Sequence, residues 1–449
     1  MKTLAYRIAP LCLSLLVCWA ACRAPAPPPA PTPLRFWHTF HDQETATVEA
    51  LLRGFEAQHP EIKVEVTVLP FGSARHRLRA ALRDGTGPDV ARAEVAWIPE
   101  LAHEGLLEDL SAEVALEEHL PQARPFLQHQ GRTWAWPQSV DCLVLYYHRD
   151  ALREIDEPPP KNLEDLVRVA RRLTRDDQGR DAFHPAFDPA RVQRHGLYLK
   201  GDGYVFLPFL WGYGGATVDV ARGEVLIDSP SSVRAAAAFQ ALATRHGVVP
   251  ARLDFSNDYQ EEIARFGEGR VAMIINGPWA ARELLAGAAF SDPERLGVAP
   301  VPRGPGGEGG SPVGGHGYVL SRGASPAARA LAAFLASPES QRALARQNHI
   351  LPTRAALYQE PAIGEDRLLG GFRAALEEAH PRAVFPGMAR LFDALTPAVQ
   401  ALLRGQGEPA ALMGGVAREW RAILPPPTAP GASPAAPGSA GSSPPPGSP

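Results

Sequence analysis

Lysine is nearly missing from this chain. Only four of its 45 basic residues are Lys, at positions 2, 63, 161 and 200, and the rest are Arg. Ala, Gly and Pro are abundant as well, so the skew reads as coding bias rather than as a binding surface. Charge of one sign is also scarce. A net charge of -4 on 449 residues supplies no field that would attract nucleic acid. Cysteine occurs four times, as Cys12, Cys18, Cys22 and Cys142. Three of these fall in the first 22 residues, so the body holds one thiol and no intramolecular disulfide can be formed in it. Its stability must come from buried area, and a chain of this length can bury a large share of its surface. The one long apolar run, Ile8 to Trp19, is shorter than the roughly 20 residues a membrane-spanning helix needs.

The ends carry their own patterns. Lys2 and Arg7 flank the apolar run, and Ala20-Ala21-Cys22 follows it. A positive start, a short apolar core and small residues mark residues 1–21 as a signal peptide. Cys22 then resembles a bacterial lipoprotein cleavage site, which implies a lipid on that thiol. Trp19 stands where such sites usually have Leu, and plain secretion is the alternative; Cys18 is a poorer acceptor behind the bulky Val17. Residues 22–33 add an Ala/Pro-rich spacer, stiff and extended. Residues 425–449 contain only Pro, Ala, Gly, Ser and one Thr, a composition that cannot build a core and is expected to be disordered.

The body, 34–424, opens with alternating strand and helix signals. Leu34-Arg-Phe-Trp37 reads as a strand. Gln43 to Gln58 reads as a helix, with Val48, Leu51, Leu52 and Phe55 on one face. Ile62, Val64, Val66 and Val68 alternate with Lys63, Glu65 and Thr67, as in a half-buried strand. A helix over 73–83 and the turn Gly85-Thr-Gly-Pro-Asp lead to a strand at Val90. Short links between strands and helices predict a mostly parallel sheet with helices on its faces. A second such set runs from about Leu143 to Gly297. There Asn162 and Asp165 have the spacing of a capping box, Ser229-Pro230 opens a helix, and Val271 to Ile275 is an apolar strand broken by Asn276-Gly277-Pro278. Between the sets lies Trp136-Pro-Gln-Ser-Val-Asp141, running into an apolar strand over Val140 to Tyr147. Asp141 stands at its entrance, where a chain passing between lobes would face a cleft.

Many ordered segments of the body resemble the extracellular solute-binding proteins of ABC importers, maltose-type subgroup. They include "FEAQHPEIKVEV", "GTGPDV", "EVAWIPELAHEGLLEDL", "WPQSVDCLVLYYHRDAL", "VAMIINGPWAARELL", "LGVAPVPRGPGG" and "LLRGQGEPAALMGGVAREW". The resemblance covers about 390 residues and implies a two-lobed α/β fold of the periplasmic-binding-protein class II type, each lobe a mostly parallel sheet flanked by helices. One lobe would comprise 34–141 with 298–352, the other 142–297 with 353–424. Three hinge crossings, near Asp141, Val298 and Pro352, would join them and let them close on a ligand. It also implies an extracytoplasmic, monomeric receptor, lipid-anchored to the cell membrane or periplasmic, which passes a sugar or oligosaccharide to an ABC permease and its ATPase, with no cofactor and no nucleic acid.

A sugar site needs aromatic rings for the apolar sugar faces and carboxylates, amides or Arg for the hydroxyls. The body's seven Trp, at 37, 97, 134, 136, 211, 279 and 420, fall near predicted strand ends or turns. The resemblance assigns ligand contact to Trp279 in "INGPW", to Asp141, to Asp202 and Tyr204, to Asp42 after the first strand, and to Phe392. Trp97 and Glu94 occupy the loop after the third strand, where Ala93 replaces the stacking Trp of maltose binders. His316 in "GGHGY" stands where relatives carry a bulky residue facing the ligand, and Trp211 completes the set. Each also has an ordinary structural role open to it, the Trp as packing and the Asp as backbone caps.

Other patterns point away from chemistry. His38-x-x-His41-Asp42 has metal-ligand residue types but no further cluster to complete a site. Tyr146 and Tyr147 point to opposite faces of a strand and cannot share an ion. Gly304 to Gly317 lacks the Lys-Ser/Thr of a phosphate loop and reads as a flexible connector. Glu261-Glu262 and Glu377-Glu378 read as solvated helix faces. No Gly-x-Ser-x-Gly elbow occurs. A non-enzymatic receptor is therefore expected. A secreted carbohydrate-active enzyme using Asp141 with Asp202 or Glu94, or a surface interaction module with a degenerate cleft, are the alternatives.

Overall fold

The computed structural model describes residues 31–251 and 254–426. The expected signal segment 1–21, Cys22 with the spacer to residue 30, and the tail from 427 onward lie outside the described residues.

Strand β1 (Thr32–His38) leads through the helix Asp42–Gln58 to β2 (Ile62–Val68), and the helix Phe71–Arg83 leads on to β3 (Val90–Glu94). β1 pairs parallel with both, Phe36 standing opposite Val66 and Val90. The expected apolar run of Val140 to Tyr147 is two strands rather than one. β4 (Trp136–Cys142) ends and β5 (Val144–His148) begins on either side of Leu143, whose backbone N–H donates to the Ser311 hydroxyl. That break is the first crossing. β6 (Met273–Asn276) and β7 (Leu296–Pro300) flank β5, and β8 (Val313–Leu320) returns to the first sheet.

The strand orders are β2-β1-β3-β8-β4 in one sheet and β6-β5-β7 in the other. β8 runs antiparallel to both β3 and β4. In the second sheet β5 pairs antiparallel with β6 and β7, while Tyr198 bridges Ile274 in parallel. Val298, expected at the return crossing, is in fact opposite Tyr146 in the second sheet. Residues 298–300 thus belong with the second lobe, and the crossing is the 301–312 segment. Pairing on β5 decides this, since no local signal separates 298 from 302.

Several local expectations hold. The Asn162 carboxamide accepts from Asp165 N–H at 2.8 Å and donates to its carboxylate at 2.8 Å. Ser229 caps the helix Pro230–Thr244 by accepting from Ser232 N–H, and Gly247 takes the left-handed conformation (φ 63°) just beyond that helix's end. In the second lobe Phe239 packs against Phe206 and Phe209 with ring centroids 5.3 and 4.9 Å apart, and Trp420 is fully buried with its indole N–H on Leu391 C=O. Burying one such aromatic contributes roughly 1.5–3 kcal/mol.

Three expectations change. Val66 and Val68 alternate correctly but stay exposed, because β2 is the sheet edge. Val313 to Gly317 is ordered strand within β8, so only the earlier part of the Gly-rich run connects the lobes. Glu262 is fully buried instead of solvated, and its carboxylate accepts from the Asn276 side chain. The helix Asp258–Gly267 packs that face inward against β6, which its charge pattern does not disclose.

Candidate functional site

A cavity of about 860 Å³ lies between the lobes. Its first-lobe wall comes from the ends of β1, β3 and β8 and from the start of the helix Phe71–Arg83. Its second-lobe wall comes from the 200–204 and 255–259 segments, the turn before Trp279, and the helix Leu391–Leu403. Asp141 and Arg382 form the floor at the hinge. Crevices beyond strand ends are where open α/β sheets leave room for a ligand.

The end of β3 shows how local sequence shapes this wall. Trp97 N–H donates back to Glu94 C=O and Ala96 N–H to the Glu94 carboxylate, both at 2.9 Å, so the chain turns tightly around that acid. The other Glu94 oxygen accepts from Arg382 at 2.8 Å, and Arg382 Nε donates to Val313 C=O at 2.8 Å. Trp97 is carried into the cavity beside Phe71, ring centroids 5.5 Å apart. Phe71 is 52% exposed, an unusual position for that residue unless something covers it.

Opposite stands Trp279. Asn276 donates to Glu262 at 2.5 Å and accepts from Gly277 N–H at 2.8 Å, and Tyr146 OH donates to Gly277 C=O at 2.9 Å. A Cβ on Gly277 would lie 2.0 Å from the Trp279 ring, so only glycine lets the indole fold back over the turn. The turn is fixed on every side, and Trp279 is half-buried at its tip.

Asp141 keeps some surface toward the cavity but is otherwise enclosed. Burial, with repulsion from Glu94, raises its carboxyl from 3.8 to about 7, against the pull of Arg382, Arg92 and the Tyr204 hydroxyl. Arg92 is fully buried under the first-lobe wall, donating to Gln138 and Thr39 and lying 4.1 Å from the Phe40 ring centroid. His316 is half-buried, its two ring nitrogens enclosed without a partner, and burial beside Arg92 holds it far below the usual histidine range, hence neutral. One Glu44 carboxylate oxygen and the Tyr259 hydroxyl are buried in the same walls without a partner. Buried polar atoms are normally satisfied, so three cavity-lining residues with enclosed, unpartnered polar atoms set these walls apart from an ordinary core.

The lobes touch across the cavity. Arg75 donates to both Asp393 oxygens, at 2.7 and 2.9 Å, and His41 stacks on Tyr259 with centroids 5.3 Å apart. Among the described residues no cluster of three or more His, Cys, Asp or Glu is placed to hold a metal ion.

Of the residues singled out in the sequence, Glu94, Trp97, Asp141, Asp202, Tyr204, Trp279, His316 and Phe392 line this cavity. Asp202 also caps the helix Gly203–Gly212, accepting from Tyr204 N–H at 2.9 Å. Two do not line it. Asp42 is the exposed first residue of the helix Asp42–Gln58 and points its charge at the helix end, and Trp211 lines a separate cavity in the second lobe. Sequence reasoning missed Phe71, Arg75, Arg92, Lys200, Tyr259 and Arg382 in the cavity wall. Phe71 at a helix start after Leu69-Pro70 carried a faint signal. The others are single residues in ordinary helix, strand or loop contexts (Lys200 and Arg382 are in loops), brought together only by the tertiary fold.

A family model described as bacterial extracellular solute-binding protein matches residues 41–342. The maltotriose-binding protein of Pyrococcus abyssi is 23% identical over 381 residues, covering 82% of this chain and 77% of that one. The galactooligosaccharide-binding protein of Bacillus subtilis is 24% identical over 383 residues, covering 82% and 85%. Among solved structures, the GacH receptor of Streptomyces glaucescens, described unliganded and with acarbose, superposes with a TM-score of 0.79 at 30% identity, covering 87% of this chain and 98% of that one. With its two lobes and a family match over most of its body, the chain belongs to the bacterial extracellular solute-binding proteins.

Proposed function

We propose that this protein is the extracytoplasmic substrate-binding component of an ABC importer, which captures a carbohydrate in the interlobe cavity and presents it to a membrane permease. The observation that carries this reading is the make-up of the cavity. Indole and phenyl rings from both lobes (Trp97 and Phe71 against Trp279, Tyr204 and Phe392) share it with the unpartnered polar atoms of His316, Glu44 and Tyr259. Rings suit the apolar faces of a sugar, and polar side chains without a protein partner suit its hydroxyls once the walls adjust around it. The maltotriose and galactooligosaccharide binders and the acarbose-binding receptor support the same class of ligand. Asp141 and Asp202 add hydroxyl acceptors. A ligand touching both lobes favours the closed arrangement because only that arrangement offers both sets of contacts. Lipidation of Cys22 tethers a monomeric receptor to the cell membrane, a periplasmic receptor being the alternative, and the spacer to residue 33 gives the tethered body reach.

Binding proceeds without turnover. Ala96 N–H and Arg382 each hold one Glu94 oxygen, which favours a wall-forming role for that acid over a catalytic one. The test is a thermal-shift screen over mono- and oligosaccharides followed by calorimetry, with the recovered sugar checked for cleavage. A specific sugar at 100 times its dissociation constant adds about 2.7 kcal/mol and returns intact. No shift with any sugar would overturn the reading, and cleaved product would replace it with an enzyme.

A further inference from the structure

A second cavity, of about 560 Å³, lies in the second lobe beyond the wall formed by Arg382 and Phe392. These two residues line both cavities. The helix Gly203–Gly212 runs beside both as well: Tyr204 in its first turn faces the interlobe cavity, and Leu207 and Trp211, on the same face at later turns, line the second. Trp211 lies flat on His380, with ring centroids 4.6 Å apart and planes at 22°, which fixes the indole in place. The rest of the lining combines the turn 214–218, which supplies backbone groups, with the carboxylate of Glu308. A rigid indole beside polar groups, in a cavity of ligand size, is the same combination as in the cleft at smaller scale.

We infer that the second cavity receives the far residues of an oligosaccharide whose end is held between the lobes. The chain passes over Phe392, and a farther sugar ring lies on the Trp211–His380 platform. The inference rests on the carbohydrate reading of the cleft and narrows it to ligands longer than the cleft alone accommodates. Two cavities separated only by the side chains of Arg382 and Phe392, which line both, provide the contacts such a ligand needs once Phe392 moves aside; a disaccharide needs only the first.

Calorimetry on the full chain with the malto-oligosaccharide and galacto-oligosaccharide series tests this, using wild type, Trp211→Leu and Ala216→Phe. Ala216→Phe fills the second cavity from its rim and leaves the buried indole in place, so it remains informative if loss of Trp211 disturbs folding. Wild type is expected to bind the longest members of one series about tenfold more tightly than its disaccharide. Both variants are expected to abolish that gain and leave disaccharide affinity within about twofold. Equal wild-type affinity across chain length, or equal loss by Ala216→Phe for short and long members, overturns the inference while the cleft reading stands. Failure of both series to bind wild type overturns the inference, and the cleft reading falls with it only if the wider screen of mono- and oligosaccharides also gives no shift.

Discussion

At the scale of single residues, the cavity divides into groups already satisfied by the protein and groups left open. Glu94 and Arg382 hold each other and the backbone, so they shape the wall. Trp279 and His316 have surface or nitrogen atoms to spare. Replacing Trp279 by Ala is expected to weaken sugar binding at least about tenfold, or 1.4 kcal/mol, with little change in melting temperature, as calorimetry and thermal unfolding can show. Unchanged affinity would remove Trp279 from the site. Asp141 gives a pH prediction. In the fold it keeps its proton up to about 7, whereas the unfolded chain releases it near 3.8, so its contribution is fully present below about 4 and is lost as pH rises through 7. Asp141→Asn is therefore expected to be more stable than wild type at about pH 8, by an amount on the order of 1 kcal/mol or more, with the difference shrinking toward about pH 4. Melting curves across that range check it; a pH-independent difference would contradict it.

At the scale of elements, the turn before Trp279 depends on a residue in another helix. Glu262 receives the Asn276 side chain, Asn276 receives Gly277 N–H, and the indole folds over Gly277. Burial raises the Glu262 carboxyl to about 8, against the pull of Lys200, so a neutral carboxyl or amide serves the same bond at neutral pH. Glu262→Gln is expected to keep sugar affinity within about threefold, while Glu262→Ala loosens the turn and leaves the Asn276 side-chain N–H without its acceptor, costing roughly 1–3 kcal/mol of stability and several-fold in affinity. Trp279 fluorescence with and without sugar separates the two variants; equal spectra and affinities would show that the turn holds itself. What was legible at this scale was local. Asn162 and Asp165, or Ser229 and Pro230, find their partners within one helical turn, so spacing alone disclosed them. Glu262 was not legible, because its partner is on a strand and its burial is set by packing.

At the scale of the whole molecule, closure has its own contacts. The Arg75–Asp393 bridge joins a first-lobe helix to a second-lobe helix at the edge of the cavity. Arg75 is nearly buried, but the Asp393 side chain is 55% exposed, so solvent screening limits the bridge to about 1 kcal/mol or less. Asp393→Ala is expected to move the ligand-free protein toward the open state by up to about fivefold. Fluorescence energy transfer between dyes on the two lobes reads that shift. An unchanged distance distribution would mean that closure does not depend on the bridge.

The amino-acid sequence by itself determined the alternation of strands and helices, the caps, the two-lobed family, and the aromatic and acidic residues most of which meet at the cleft. Those features are written in neighbours a few residues apart or in many short segments kept in order. Only the tertiary structure decided that the chain breaks at Leu143, that 298–300 stay with the second sheet, and that Trp211 faces a cavity of its own while Arg92, Arg382 and Tyr259 join the cleft. Each of those outcomes follows from pairing or packing between segments far apart in the chain, where the free energy depends on which surfaces meet and local sequence holds no record of the choice.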